Sequence, residues 1–233
     1  IDQGFESLAM KRELAAVLLS LSEFSRARAA VEQIFATGQA NFTDHLIIGR
    51  AHVGDGDYKQ AEVFARQARQ LAPHDERPVL LLALIAQLQH GIEAKVEILR
   101  GGLDGLADDF AVRTQLAIAL DNLGKTEAAV EVIKATNLDT CTDKQLLLLS
   151  ENFEMLHCDD DAVRCIRRID PTGPMGSAVL LLDFLKGAID AETALSLQAM
   201  RKIPDDKFGE ALKDLCRAKT DGGAGVDAEA LET

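Results

Sequence analysis

The chain of 233 residues has no tryptophan, a single tyrosine and only 4% aromatic residues, against a hydrophobic share of 47%. Its core must therefore be built from aliphatic side chains, and leucine and alanine, both strong helix formers, dominate the composition. Only five prolines interrupt it. Basic residues are also short: 25 Lys and Arg stand against 38 Asp and Glu, a formal charge of −13. No basic stripe is left to neutralise phosphates, which argues against nucleic acid as a partner. The acidity serves solubility, or a preference for basic partners. Long apolar runs are missing as well. The longest, Val79 to Leu88, is about half of the roughly 20 residues that cross a bilayer, so no membrane insertion is expected. Four cysteines, Cys141, Cys158, Cys165 and Cys216, form no CxxC pair. They read as reduced thiols of a cytoplasmic protein. No signal peptide is visible, and a start at Ile1 is compatible with a removed leader or upstream domain.

What is present is helical periodicity, clearest in the stretch DHLIIGRAHVGDGDYKQAEVFARQARQLAP from Asp44 to Pro73. Leu46, Ile47, Ile48, Ala51 and Val53 fill a first helix; Tyr58, Ala61, Phe64, Ala65 and Ala68 stripe a second. Gly54-Asp55-Gly56-Asp57 is the turn between them, and Pro73 stops the second helix because proline has no amide hydrogen to donate. With Gly49 where two helices would cross closely, and Gly56-Asp57-Tyr58 opening the second helix, this stretch resembles a tetratricopeptide (TPR) repeat.

A small alanine early in a second helix recurs at Ala27, Ala61, Ala94, Ala129, Ala162 and Ala194, at intervals of 34, 33, 35, 33 and 32 residues. A period near 34 is that of the TPR family. It extends the resemblance to about six helix pairs over residues 5–204. The pairs are Phe5–Leu21 with Ser25–Ala36, Asp44–Pro73 as above, Arg77–Gln89 with Ile92–Leu103, Phe110–Leu123 with Thr126–Thr136, Asp143–His157 with Asp160–Ile169, and Ser177–Lys186 with Ala191–Ile203. The third lacks the aromatic and the closing proline, and its exit through Gly101-Gly102-Leu103-Asp104-Gly105 reads as loose. Asp205–Ala218 is amphipathic, with Phe208, Leu212 and Leu215 on one face, and suits a capping helix at 205–218. Residues 219–233 have too little apolar content to pack and read as a disordered tail. The resemblance implies an all-α fold: a right-handed α–α superhelical solenoid, with a concave surface lined by the first helices.

Candidate chemistry is sparse. His45 and His52 lie seven apart, whereas helical zinc ligands lie four apart, so both read as packing residues and no metal is expected. In His157-Cys158-Asp159-Asp160-Asp161 the acids Asp159 and Asp160 read as an N-cap and a first-turn charge rather than ligands. No GxxxxGK[ST] or GxGxxG is present, and no base or oxyanion donor accompanies Cys158. No cofactor and no catalytic activity are expected.

The resemblance points instead to the concave surface. Its projected lining is Arg12, Ala16, Leu46, Arg50, Arg77, Leu80, Leu84, Ile118, Asp121, Asn122, Leu147, Glu151 and Asp183. The Lys/Asn/Arg constellation with which some TPR domains hold chaperone C-termini is absent from it. The lining is apolar in the middle, with arginines toward one end and acids toward the other, which suits an amphipathic helix or extended segment of a protein partner. The expected function is a non-catalytic scaffold or adaptor. The alternative is a regulatory or substrate-docking region of a larger enzyme, such as a sulfotransferase or glycosyltransferase. Homo-oligomerisation through Val79–Leu88 and Leu146–Leu149 is a further possibility.

Overall fold

Helix starts set the architecture. Ser7, Asn41, Asp75 and Asp109 are the N-caps of four first helices, each 34 residues after the last. Three of the four accept a backbone amide with their own side chain, satisfying donors that a helix start leaves free. The fourth is capped by its neighbours: Asp108 Oδ1 accepts from the Phe110 amide at 3.0 Å, and Glu76 Oε2, from the preceding first helix, accepts from the Ala111 amide at 3.1 Å. Burial and the nearby acids Asp108, Asp75 and Asp109 hold the Glu76 pKa above its ordinary value despite that bond.

The computed structural model describes residues 7–170 and 207–220, with Gly176, Val179, Leu180, Leu181 and Ala194 as isolated helical positions between them. They fall in two compact units, Ile1–Thr136 and Asn137–Thr233. The first holds α1 (Leu8–Ser20), α2 (Phe24–Phe35), α3 (Phe42–Gly54), α4 (Tyr58–Leu71), α5 (Glu76–His90), α6 (Ile92–Gly102), α7 (Phe110–Asp121) and α8 (Thr126–Lys134). These are four helix pairs. Within each pair the two helices pack on one another; α2, α4 and α6 each pack on the first helix of the next pair, and α1, α3, α5 and α7 touch in succession. Among the described residues no strand occurs.

Small residues allow this closeness. Ala27, Ala61 and Ala129 have no exposed surface, and a Cβ on Gly49 would lie 3.1 Å from Leu81 Cδ2 and 3.5 Å from the Ala61 carbonyl. The N-caps of the second helices, Glu23, Asp57, Gly91 and Lys125, also stand 34 apart. That register corrects one position of the alanine series. The counterpart of Ala61 in the third pair is Lys95, not Ala94, and its ammonium donates to Gln115 Oε1 of α7 at 3.0 Å. Two further readings are corrected. Gly101 and Gly102 belong to α6 itself, and Gly102 is buried so tightly that a Cβ would meet Val79 Cγ1 at 2.3 Å. The segment after it is irregular but pinned: the Ala107 amide donates to the His74 carbonyl, and His74 Nδ1 lies 2.6 Å from the Gly105 carbonyl.

In the second unit, α9 (Asp143–Met155) and α10 (Asp159–Ile166) form a fifth pair around Leu146, Ile166, Ile169 and Val179. Thr142 and Gln145 make a reciprocal capping box at the start of α9. The N-cap of α10 is Cys158 rather than Asp159; Asp159, Asp160 and Asp161 occupy the first turn, where their charge complements the helix dipole. The helix expected at 205–218 is α11, Lys207–Thr220, with Cys216 buried and Asp214 and Arg217 exposed. The sixth pair lies outside the described residues apart from the isolated positions named above, of which Gly176, Val179, Leu180 and Ala194 are buried. The tail from 221 onward also lies outside them.

Candidate binding groove

Three successive first helices of the first unit enclose a groove of about 470 Å³, lined by Ala16 and Leu19 of α1, Thr43, Leu46, Ile47 and Arg50 of α3, and Arg77, Leu80, Leu81 and Leu84 of α5. The cap register explains why these side chains converge. Leu46 and Leu80 stand five residues after their N-caps, and Ala16, Arg50 and Leu84 stand nine after theirs. Equal offsets on neighbouring parallel helices turn side chains to the same side. Leu46, Ile47 and Leu81 are buried and form the floor, while Leu84 is 42% exposed at the edge.

Two arginines border this apolar floor. The Arg77 guanidinium makes a two-pronged contact with Asp75, Nε to Oδ1 at 2.9 Å and Nη2 to Oδ2 at 2.7 Å, and sits 4.7 Å above the Phe42 ring. Those bonds hold the Asp75 pKa below its ordinary value. Arg77 is thereby fixed in direction. Arg50 is exposed on α3. A planar guanidinium beside an apolar trough suits a carboxylate presented next to aliphatic or aromatic side chains.

Leu46, Arg50, Arg77, Leu80 and Leu84, projected from the sequence, thus come together with Ala16. Arg12 does not join them. It is turned onto Asp44, which is fully buried: Arg12 Nε and Nη2 reach the carboxylate at 2.9 and 2.8 Å, and Nη2 also donates to the Gln39 carbonyl. Ile118 has the same helical offset as Leu84 but does not line the groove. Asp121 accepts from the Thr126 hydroxyl at 2.7 Å and closes the turn between α7 and α8, and Asn122 is the α7 C-cap. Leu147 and Glu151 occupy the corresponding positions of α9 in the second unit. Asp183 lies outside the described residues. Leu19, Thr43, Ile47 and Leu81 were not foreseen; counting from the N-caps finds Ile47 and Leu81 together, each six residues into its helix.

The histidines pack. His45 meets the edge of Phe35 at 4.8 Å, and its Nδ1 lies 2.8 Å from the Asn41 carbonyl; His52 stacks on Phe64 at 5.5 Å. Among the described residues no group of three or more His, Cys, Asp and Glu side chains could hold a metal ion, and no helix is long and apolar enough to cross a membrane. Burial pushes the Cys165 thiol up to about 11, far from a reactive thiolate. A second hollow of about 430 Å³ lies among α4, α5 and α6, but its charges, Glu62, Arg66, Arg69 and Glu97, are of both signs, and Arg66 is already tied to Glu62 at 2.5 Å.

Serial helix pairs with a 34-residue register, small residues at the crossings and a trough along the first helices define the tetratricopeptide class of fold. A solved structure agrees. TTC0263, a thermophilic TPR protein of Thermus thermophilus, matches with a TM-score of 0.50 at 13% identity, over 70% of this chain and 89% of its own. MamA from AMB-1 matches at 0.41 with 22% identity, over 69% and 88%. YrrB, described as a TPR protein with an unusual peptide-binding site, matches at 0.43 with 17% identity, over 71% and 86%. At 13% identity the likeness to TTC0263 speaks to fold alone. No protein-family model matches the chain, and no curated protein matches it by sequence.

Proposed function

We propose that this chain is a non-catalytic protein-interaction module that holds a peptide or helix of a partner protein in the groove of its first unit. The observation that carries this reading is the groove itself: an open, aliphatic trough of about 470 Å³ bordered by Arg50 and Arg77, on a chain whose net charge is −13. Asp75 balances the charge of Arg77, so Arg50, exposed on α3, supplies the positive charge beside the apolar trough of an otherwise acidic chain. The ligand that fits is a segment with a carboxylate next to two or three large apolar side chains.

A displayed library of random peptides tests this. The chain should enrich sequences that combine Asp or Glu with Leu, Ile or Phe. The double variant Arg50→Glu, Leu84→Gln should lose that enrichment while its circular dichroism stays that of the parent, because both side chains are exposed. Synthetic copies of enriched peptides should bind the variant at least about tenfold more weakly. Equal enrichment by parent and folded variant would place recognition elsewhere and end the proposal.

A further inference from the structure

Helix α1 carries an apolar face that its unit leaves open. Met10, Leu14, Val17 and Leu21 are 57, 46, 53 and 66% exposed. Every other first helix of the unit buries the positions corresponding to Met10, Leu14 and Val17. Thirty-four residues after Leu14 and Val17 come Ile48 and Ala51, 3 and 0% exposed; then Leu82 and Ile85, 9 and 2%; then Leu116 and Ala119, 0 and 1%. In α3 this face rests on Ala27, Ala30 and Val31 of α2, and in α5 on Ala61, Ala65 and Ala68 of α4. So α1 has the kind of face that docks a helix. It is turned away from the groove, which α1 lines with Ala16 and Leu19. The stretches from which self-association was expected are mostly core, leaving Leu84, Leu88 and Leu148 exposed. Val79, Leu81, Leu82, Ile85, Leu146 and Leu149 are core residues.

The pattern on α1 indicates what covers it. Spacings of four, three and four residues make the seam of a two-stranded coiled coil. The face is also longer than its interior counterparts: Leu21 stands where α3 ends in Asp55 and α5 has Gln89. Read backwards, the seam keeps its spacing. A twofold axis between Leu14 and Val17 sets Met10 of each copy against Leu21 of the other, and an isologous contact requires just such a self-complementary patch. Charges do not oppose it. Glu13 on the exposed flank meets Ser20 of the other copy rather than a like charge, while Lys11 donates to Gln33 at 2.9 Å and Arg12 is held by Asp44 within their own copy. The helix dipoles run antiparallel. A charged peptide would find little on this face to pair with. We propose that a second copy of this chain covers it, giving a twofold dimer through an antiparallel α1–α1 contact, independent of what the groove binds.

Sedimentation equilibrium of the whole chain, from micromolar to millimolar concentration, tests this. The parent should rise from the monomer to the dimer mass, and added salt should strengthen association because only repulsion between acidic copies is screened. Leu14→Gln with Val17→Gln should weaken it at least about tenfold with unchanged circular dichroism. Val63→Gln with Leu71→Gln, at exposed apolar residues of α4, should leave it unaltered. Should the central pair unfold the chain, Met10→Gln with Leu21→Gln at the ends of the seam reads the same contact. A parent that stays monomeric throughout, a dimer that survives the folded α1 variants, equal loss in the α4 control, or association that salt weakens would each overturn the proposal.

Discussion

In the second helix pair the position facing the pair's own core is Ala61, without exposed surface; 34 residues on, the third pair has Lys95, half-buried and bonded to Gln115 of α7. The two pairs share one cap register and close by different contacts. With alanine in place, α3 and α4 approach at mid-helix, where Gly49 faces the Ala61 carbonyl. With lysine in place, the tight contact lies at the end of α6, where Gly102 meets Val79. The ties to neighbouring pairs differ as well. Pair two is joined to pair one by a buried carboxylate, Asp44, on the Arg12 guanidinium. Pair three reaches pair four with the Glu76 carboxylate on the Ala111 amide. The helix-pair period thus constrains where contacts fall and leaves their chemistry free.

The buried ion pair gives the largest test of that contrast. Arg12→Met keeps most of the apolar stem but leaves Asp44 buried without its counter-ion, which should cost about 3 kcal/mol in urea denaturation. Adding Asp44→Leu in the same chain should recover most of that loss, because the penalty belongs to the unpaired charge. A single variant within about 0.5 kcal/mol of the parent would show that water reaches Asp44 and that the pair does not hold the junction.

Much of this was legible from residue order, and the failures have physical causes. The four helix pairs of the first unit announce themselves because Gly-Asp turns, Pro73 and the alanine stripe mark where a helix must stop or close up. Groove residues Leu46, Arg50, Leu80 and Leu84 follow from the same period, since a face repeats when the register does. Lys95 escaped because Ala94 stands beside it and imitates the pattern; only cap positions resolve a shift of one residue. Arg12 escaped because its partner lies 32 residues away, and no local pattern reports a bond of that length. Val79 to Leu88 reads as one apolar run, whereas the fold hides most of it and leaves Leu84 and Leu88 outside.

The glycines of α6 sharpen the comparison at intermediate size. Gly102→Ala forces a methyl against the stiff, β-branched Val79 side chain at 2.3 Å and should destabilise by about 1–3 kcal/mol. Gly101→Ala meets nothing within 4 Å and should be neutral or stabilising by up to about 1 kcal/mol, through the higher helix propensity of alanine. Thermal melts of the two variants decide the matter. Equal shifts would mean that α6 moves freely on α5 and that the contact at Val79 does not set their distance.

The smallest expected effect is at Lys95, and it carries a pH signature. Burial lowers the Lys95 pKa below 10.5, so the unfolded chain holds the proton more tightly than the folded one. Stability from this group is therefore reduced at neutral pH and recovers as pH rises through the folded pKa toward 10.5. Lys95→Met keeps the stem against the helices and removes the charge. It should be more stable than the parent at pH 7 by less than about 1 kcal/mol, and the gain should shrink as pH approaches 10. The Gln115 amide loses a donor in that variant, but it is half-exposed and water replaces the bond. Urea midpoints of both chains at pH 7 and pH 10 measure the difference. A gain independent of pH would assign the effect to packing alone, and a loss at pH 7 would make the Lys95–Gln115 bond the contact that replaces Ala61 in the third pair.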